Sequence, residues 1–259
     1  MGARPDVVPD AAPQDSPHTP ARAEPVVELS ALRHRWARGA PVVLEVGQLS
    51  VGAGERVFIA GPSGSGKTTL LGLISGIARP SEGSVRVLGE RLETLSGQRR
   101  DRFRADHIGV IFQLFNLVPY LSVLDNVLLP LRFSPRRRRA AQAAAQGSGR
   151  PALEREVTRL LAALDMHAPE LLQAPVSRLS VGQQQRVAAA RALLGAPELV
   201  LADEPTSALD SDRREAFLSL LFNEIARTGA TLLFVSHERA LAERFERVID
   251  LPERASAGR

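Results

Sequence analysis

Two kinds of hydrophobic run alternate along the chain. Short, unbroken apolar runs occur at Arg56–Ala60 (RVFIA), His107–Phe112 (HIGVIF), Glu198–Ala202 (ELVLA), Thr231–Val235 (TLLFV) and Val248–Leu251. Runs without polar alternation, rich in β-branched residues, predict strands buried on both faces. Between them lie stripes with helical spacing. Lys67–Ser75 predicts a helix stopped by Gly76, with Pro80 beyond. Leu153, Val157, Leu160, Leu161 and Leu164 form a second stripe. Val187, Ala190 and Leu194 form a third, closed by Gly195 and Pro197, and Phe217, Leu220, Leu221 and Ile225 a fourth, closed by Gly229. Such strands interleaved with helices predict an α/β fold around a parallel sheet. Upstream, Val26–Leu32 and Pro41–Val46 predict short strands around a turn at Arg38–Gly39.

One stretch breaks the alternation. From about 114 to 178 the pattern is helical or loop throughout, which predicts an inserted α-helical subdomain. Within it, residues 134–151 carry four consecutive arginines (Arg136–Arg139) and then AAQAAAQGSG. Low complexity and charge read as a flexible, solvated loop; a basic patch facing anionic lipid or nucleic acid is the sharper alternative. Residues 1–25 contain six prolines and no apolar run, and read as a disordered tail before a single domain over 26–259.

Composition adds boundaries. With 259 residues, 44% of them hydrophobic, the chain can bury one sizeable core. The absence of cysteine excludes a disulfide-built scaffold and fits a reducing compartment. No stretch reaches the ~20 apolar residues a bilayer span needs: the longest, Val187–Ala202, is interrupted by Arg191, Pro197 and Glu198. Work at a membrane would therefore need a partner. The net charge of +4 speaks to non-specific association rather than to a defined site. More telling is that lysine occurs once, at Lys67, in a chain that otherwise uses arginine.

That lysine closes the pattern G-x-x-x-x-G-K-[ST], spelled Gly61, Pro62, Ser63, Gly64, Ser65, Gly66, Lys67 and Thr68, with Thr69 next. A predicted strand precedes it and a predicted helix follows. Glycines let the backbone curl so that several N–H groups point at one anion, reinforced by the helix N-terminus. Lys67 offers a compact charge for β- and γ-phosphates, a role a planar guanidinium fills poorly, and the Thr68 hydroxyl can ligate Mg²⁺.

Further polar residues fall at strand ends. Asp203 and Glu204 follow the apolar run at 198–202, so they lie on the ligand-binding edge of a parallel sheet. Asp203 is a candidate Mg²⁺ holder and Glu204 a candidate general base for an attacking water. His237 follows its strand in the same way, either as a γ-phosphate contact or as an inert surface histidine, and Gln113 ends its strand with the same two readings open. Ser180 and Gln183, around Val181 and Gly182, have the spacing of a capping box at the start of a helix. That could be a cap alone or a second phosphate-binding helix end. Trp36, the only tryptophan, could stack on a purine or merely pack.

From about residue 26 to 251 the ordered set resembles an ATP-binding cassette (ABC) ATPase. Trp36 lies where that family has its adenine-stacking aromatic. Gly61–Thr68 resembles the Walker A loop, Gln113 the Q-loop glutamine and Leu179–Gln183 the signature. Leu199–Asp203 with Glu204 resembles Walker B and its base, Ser207–Asp210 the D-loop, and His237 the switch histidine. The resemblance implies a P-loop NTPase core, a small antiparallel β subdomain and the α-helical insertion. It implies hydrolysis of ATP with Mg²⁺ held by Thr68, Asp203 and Gln113, and nucleotide contacts from Trp36, Ser180, Gly182, Gln183 and Asp210. It also implies a head-to-tail homodimer that drives an integral-membrane permease from the cytoplasmic face of the inner membrane, with Gln113 and the helical subdomain as coupling surface. The run HIGVIFQLFNLVPYLSVLDNVLLPL is similar to the lipoprotein-releasing and macrolide-exporter branch. A solute-importer ATPase is the alternative within the family. A nucleic-acid-linked cassette fits less well, because the chain has one cassette, no heptad run and no cysteine. The signature departs from the family: it reads LSVGQ, and β-branched Val181 restricts the backbone where a glycine is expected.

Overall fold

A computed structural model describes residues 24–207 and 209–251. All but the last two residues of the expected tail, and Ala208 of the D-loop-like segment, lie outside the described residues. The chain opens with β1 (Val27–His34) and β2 (Leu44–Val51), antiparallel, with Val27 opposite Val51 and His34 opposite Leu44. β3 (Arg56–Ala60) leaves this pair for a second sheet, and α1 (Lys67–Ile74) follows it. β4 (Glu82–Val87) returns to flank β1 and β5 (Glu90–Arg91) completes the order β2-β1-β4-β5. Next come α2 (Gly97–His107), β6 (Ile108–Ile111), α3 (Val123–Leu128), α4 (Pro135–Ala144), α5 (Gly149–Ala163) and α6 (Val181–Leu193). The chain ends with β7 (Leu199–Asp203), α7 (Ser211–Thr228), β8 (Thr231–Ser236) and β9 (Arg247–Asp250).

The second sheet has the order β6-β7-β8-β3-β9, and each neighbouring pair is parallel. Its central strands are apolar on both faces because both faces are covered, and the period of two sorts them. Phe58, Val200, Ala202, Leu232 and Phe234 enter the core shared with α3, α5, α6 and α7. Val57, Ile59, Leu199, Leu201, Leu233 and Val235 enter the core shared with α1 and the antiparallel sheet. Phe245 packs against both Phe58 and Phe234, with ring centroids 5.2 and 5.1 Å away. Each fully buried aromatic or aliphatic side chain of this kind contributes about 1.5–3 kcal/mol.

Residues 134–151 are not a flexible loop. Ser134 is fully buried and its hydroxyl accepts from Arg137 N at 3.0 Å, capping α4, which Pro135 opens. The alanines that read as low complexity are strong helix formers. Arg137 is buried because its guanidinium caps the end of α6, donating from Nε to Leu194 O at 2.8 Å and from Nη2 to Ala192 O at 2.7 Å. Only 145–148 connect α4 to α5. His107 closes α2 rather than opening β6, so that strand is shorter than the apolar run. β1 runs two residues past the predicted segment, and β2 is displaced from the predicted Pro41–Val46, beginning only at Leu44 and running to Val51. α2 and β5 have no apolar period in the sequence, and β4 has only the short Val85–Val87 alternation; α2 buries no residue fully.

Candidate functional site

The loop between β3 and α1 is shaped by one residue in particular. Gly66, the N-cap of α1, has φ +98°, and a Cβ there would lie 3.0 Å from Val43 O and 3.1 Å from Leu44 Cδ1. A side chain at this position would be strained and would collide with the start of β2. The helix therefore begins without a side-chain cap and without an acidic residue in its first turn. Its leading N–H groups face out of the loop and favour an anion. Lys67 is buried, and its Nζ donates to Gly61 O at 2.7 Å and Pro62 O at 3.0 Å. The ammonium is thus held in the loop's concavity. Ser65 is buried with an unpartnered hydroxyl, Thr69 is buried, and Pro62, Ser63, Gly64 and Thr68 are exposed.

The parallel registers bring the strand ends to one edge. Asp203 pairs with Val235, Ile111 with Ala202 and Ala60 with Ser236. The loop at 61–66, the turn at Gln113, the Asp203–Glu204 pair and His237 all follow directly from those positions. Glu204 Oε1 lies 3.8 Å from Lys67 Nζ, and Glu204 Oε2 accepts from His237 Nδ1–H at 2.7 Å. The Glu204 backbone is left-handed, φ +43°, with its N–H donating to Val235 O at 2.9 Å. That conformation turns the carboxylate out of the strand direction and towards the loop. Burial raises the Asp203 carboxyl above the usual range; the Thr68 hydroxyl donates to it and lowers it, neighbouring Glu204 raises it, and Lys67 lowers it.

Asp203 Oδ1 is buried and has no hydrogen-bond partner among the described residues. An orphaned carboxylate oxygen beside a hydroxyl, in a chain without thiols, suits a hard, oxygen-preferring divalent cation. The residues present therefore fit Mg²⁺. Chemically, the edge combines an anion cradle, a cation site and a carboxylate free to accept a proton, which are the parts that phosphoryl transfer to water requires.

Other predicted residues stand apart. Trp36 is 65% exposed and meets His34 edge-on, with centroids 4.9 Å apart at 86°. His34 O accepts from Val43 N at 2.8 Å, and Val43 borders Gly66, so the indole sits on the strand pair that seats the phosphate loop. Ser180 and Gln183 form the reciprocal capping box: Ser180 N donates to Gln183 Oε1 at 2.9 Å and Gln183 N to Ser180 Oγ at 3.3 Å. Ser180 is exposed and Val181 is half exposed, so this helix end faces outward. Asp210 caps α7, accepting from Arg213 N at 3.0 Å. Gln113 is exposed. Among the described residues, no hydrogen bond or ion pair joins any of these to the Lys67–Glu204–His237 cluster.

Two arginines with no predicted site role help to hold the scaffold. Arg137 and Arg191 are buried and donate to backbone carbonyls. Their signal was available: Arg191 sits in an otherwise apolar helical stripe, where a cation must find fixed acceptors.

Residues 44–207 match the ABC transporter family. The lipoprotein-releasing system ATP-binding protein LolD of Anaeromyxobacter dehalogenans is 41% identical over 88% of this chain and 91% of its own length. The macrolide export ATP-binding/permease protein MacB 1 of Aeromonas hydrophila is 40% identical over 90% of this chain, which spans only 34% of that longer protein. Among solved structures, the dimeric ATP-binding cassette MJ0796, in a post-hydrolysis state bound to ADP and Pi, is 35% identical. It superimposes with a TM-score of 0.75 over 87% of this chain and 94% of its own.

Proposed function

The chain belongs to the ABC transporter family, and from that premise we infer that it is the ATP-binding and ATP-hydrolysing subunit of an exporter of the lipoprotein-releasing or macrolide type. The observation that carries the reading is the cluster at the sheet edge: Lys67, Asp203, Glu204 and His237 meet beside an uncapped helix N-terminus.

Each residue then has a task. The N–H groups of the loop at 61–69 and the Lys67 ammonium hold the β- and γ-phosphates of ATP. Thr68, Asp203 and Gln113 would hold Mg²⁺, which when bound would offset charge on the phosphate oxygens. Glu204 accepts a proton from the attacking water, and His237, donating to the other carboxylate oxygen, keeps Glu204 oriented. Trp36 supplies a stacking surface for the base. Ser180, Gly182 and Gln183 open a helix whose first residues are exposed, and would serve the nucleotide held by a twin subunit. Asp210 would lie along the same dimer seam. The partner in the membrane is a permease, met at the cytoplasmic face. A groove of about 500 Å³ lined by Ile77, Phe112, Pro130 and Phe133 gives it a surface.

Complementation tests the composite site. K67A leaves a subunit unable to grip its own nucleotide, and S180R leaves one unable to complete its twin's. Neither alone should hydrolyse ATP, whereas a mixture should recover activity, because heterodimers hold one intact site. A mixture as inactive as its components would sink the head-to-tail reading.

A further inference from the structure

We propose that Arg191 is a positioning residue that fastens the turn carrying Gln113 to the helix that begins at Ser180, so that Gln113 is presented to the metal–phosphate site from the far end of α6. The proposal rests on the reading of Gln113 and Ser180 given above.

The turn after β6 has no glycine, yet Phe115 and Asn116 both have positive φ, +58° and +49°. Side chains disfavour that region, so consecutive residues there need an outside hold. Arg191 provides it. Its Nη1 donates to Asn116 O at 2.6 Å and its Nη2 to Phe115 O at 2.5 Å. The planar fork of the guanidinium suits two converging acceptors, which one ammonium would match poorly. Arg191 is 8% exposed, and no carboxylate pairs with it among the described residues. Burial depresses its proton affinity, as expected of a cation held by carbonyls alone. Within the turn, Phe115 N donates to Phe112 O at 2.9 Å and Asn116 N to Leu114 O at 2.6 Å, which links the gripped carbonyls back to residues on either side of Gln113.

The other end of the connection is equally fixed. α6 is a continuous helix of 13 residues. Ser180 and Arg191 are about 16 Å apart along its axis at 1.5 Å rise per residue. Its last carbonyls are capped by buried Arg137 from α4. β6 lies so close that a Cβ on Gly109 would sit 2.3 Å from Ala192 O. A displacement felt at Ser180 is therefore delivered to residues 115–116 rather than absorbed, since neither helix end is free to fray. A mere structural stitch would affect stability alone. A positioning role also affects metal capture through Gln113.

The test compares R191M, R191K and Q113A in the full chain. Protein is loaded with a non-hydrolysable ATP analogue and titrated with Mn²⁺, read by loss of the free-ion electron paramagnetic resonance signal. Amide hydrogen exchange is followed over 113–117. R191M should weaken Mn²⁺ capture roughly tenfold, the lower end for losing a residue that orients a metal ligand. It should speed exchange over 113–117 and leave metal-free nucleotide affinity within about twofold of wild type. R191K keeps the charge but reaches one carbonyl, and should fall between; it also preserves the test if R191M does not accumulate as folded protein. Wild-type Mn²⁺ capture and wild-type exchange in R191M, with Q113A weakened, would overturn the proposal. Unaltered Mn²⁺ capture in Q113A would instead overturn the metal role of Gln113, and exchange over 113–117 would then decide the anchoring by Arg191 independently.

Discussion

Replacing Glu204 by glutamine isolates the proton acceptor from the architecture around it. The side chain keeps its length, its left-handed backbone and an oxygen that can accept from His237 Nδ1–H, so the 2.7 Å contact survives. What disappears is a charge and a basic oxygen. Loss of a positioned general base costs about 10²–10⁴-fold in rate, roughly 3–5 kcal/mol of barrier. Binding moves the other way. Glu204 Oε1 stands 3.8 Å from Lys67 Nζ, with both side chains largely buried. Unit charges near 4 Å attract by about 4 kcal/mol at an effective dielectric of 20. Desolvation offsets most of that. If roughly 1 kcal/mol reaches the phosphates once the competing carboxylate is gone, ATP binds about fivefold more tightly. E204Q should therefore hydrolyse 10²–10⁴ times more slowly, bind ATP slightly better and accumulate as an ATP-bound dimer. Phosphate release, equilibrium binding and sedimentation velocity check the three parts. Hydrolysis within tenfold of wild type would remove Glu204 from the role of base. A rate and an affinity that fall together would make it a structural member of the loop's seat instead.

Asp203 gives a prediction with a definite sign. Burial raises its carboxyl pKa in the folded state, so the native protein binds more protons than the unfolded chain and loses stability as pH rises from the ordinary aspartate range to the raised value. In chelator at neutral pH, D203N should melt higher than wild type; below about pH 4 the gain should vanish, and metal-dependent hydrolysis should be absent throughout. An unchanged or lower melting temperature at neutral pH would contradict the burial argument. W36A should weaken ATP binding by about 1–3 kcal/mol, the worth of a base–aromatic stack, with little change in melting temperature because the indole is mostly exposed. Equal affinity in W36A and wild type would leave Trp36 as a packing residue. R137A strips the cap from α6 and leaves the Ala192 O and Leu194 O acceptors without this donor, and should cost about 2–6 kcal/mol in urea unfolding, at about 1–3 kcal/mol for each of the two carbonyls. A loss below ~1 kcal/mol would mean that water or neighbouring N–H groups replace the guanidinium.

Much of the parallel core was readable in advance because its signals are local. β3, β7 and β8 are unbroken apolar runs, and burial on both faces leaves no alternative reading. The helix at α6 was announced by Ser180 and Gln183, whose capping bonds involve only neighbours in sequence. The segment at 134–151 misled for a corresponding reason. Arginines on a helix look solvated unless the acceptors are known, and those of Arg137 lie more than fifty residues away at the end of α6. α2 carries no apolar stripe, and the strand character of β4 and β5 depends on pairing with β1 and with each other.

By itself, the sequence determined the alternation of buried strands with helices, the glycine-rich curl ending in the only lysine, and the two carboxylates that close an apolar run. Each of these is a property of residues within a few positions of one another, where backbone freedom and hydrophobic period act directly. The tertiary structure alone decided that Glu204 lies between Lys67 and His237, that Trp36 rests on the strands seating Gly66, and that Arg191 grips the turn behind Gln113. Those contacts join segments separated by tens to more than a hundred residues. Strand order and helix packing set such distances, and no local pattern encodes them.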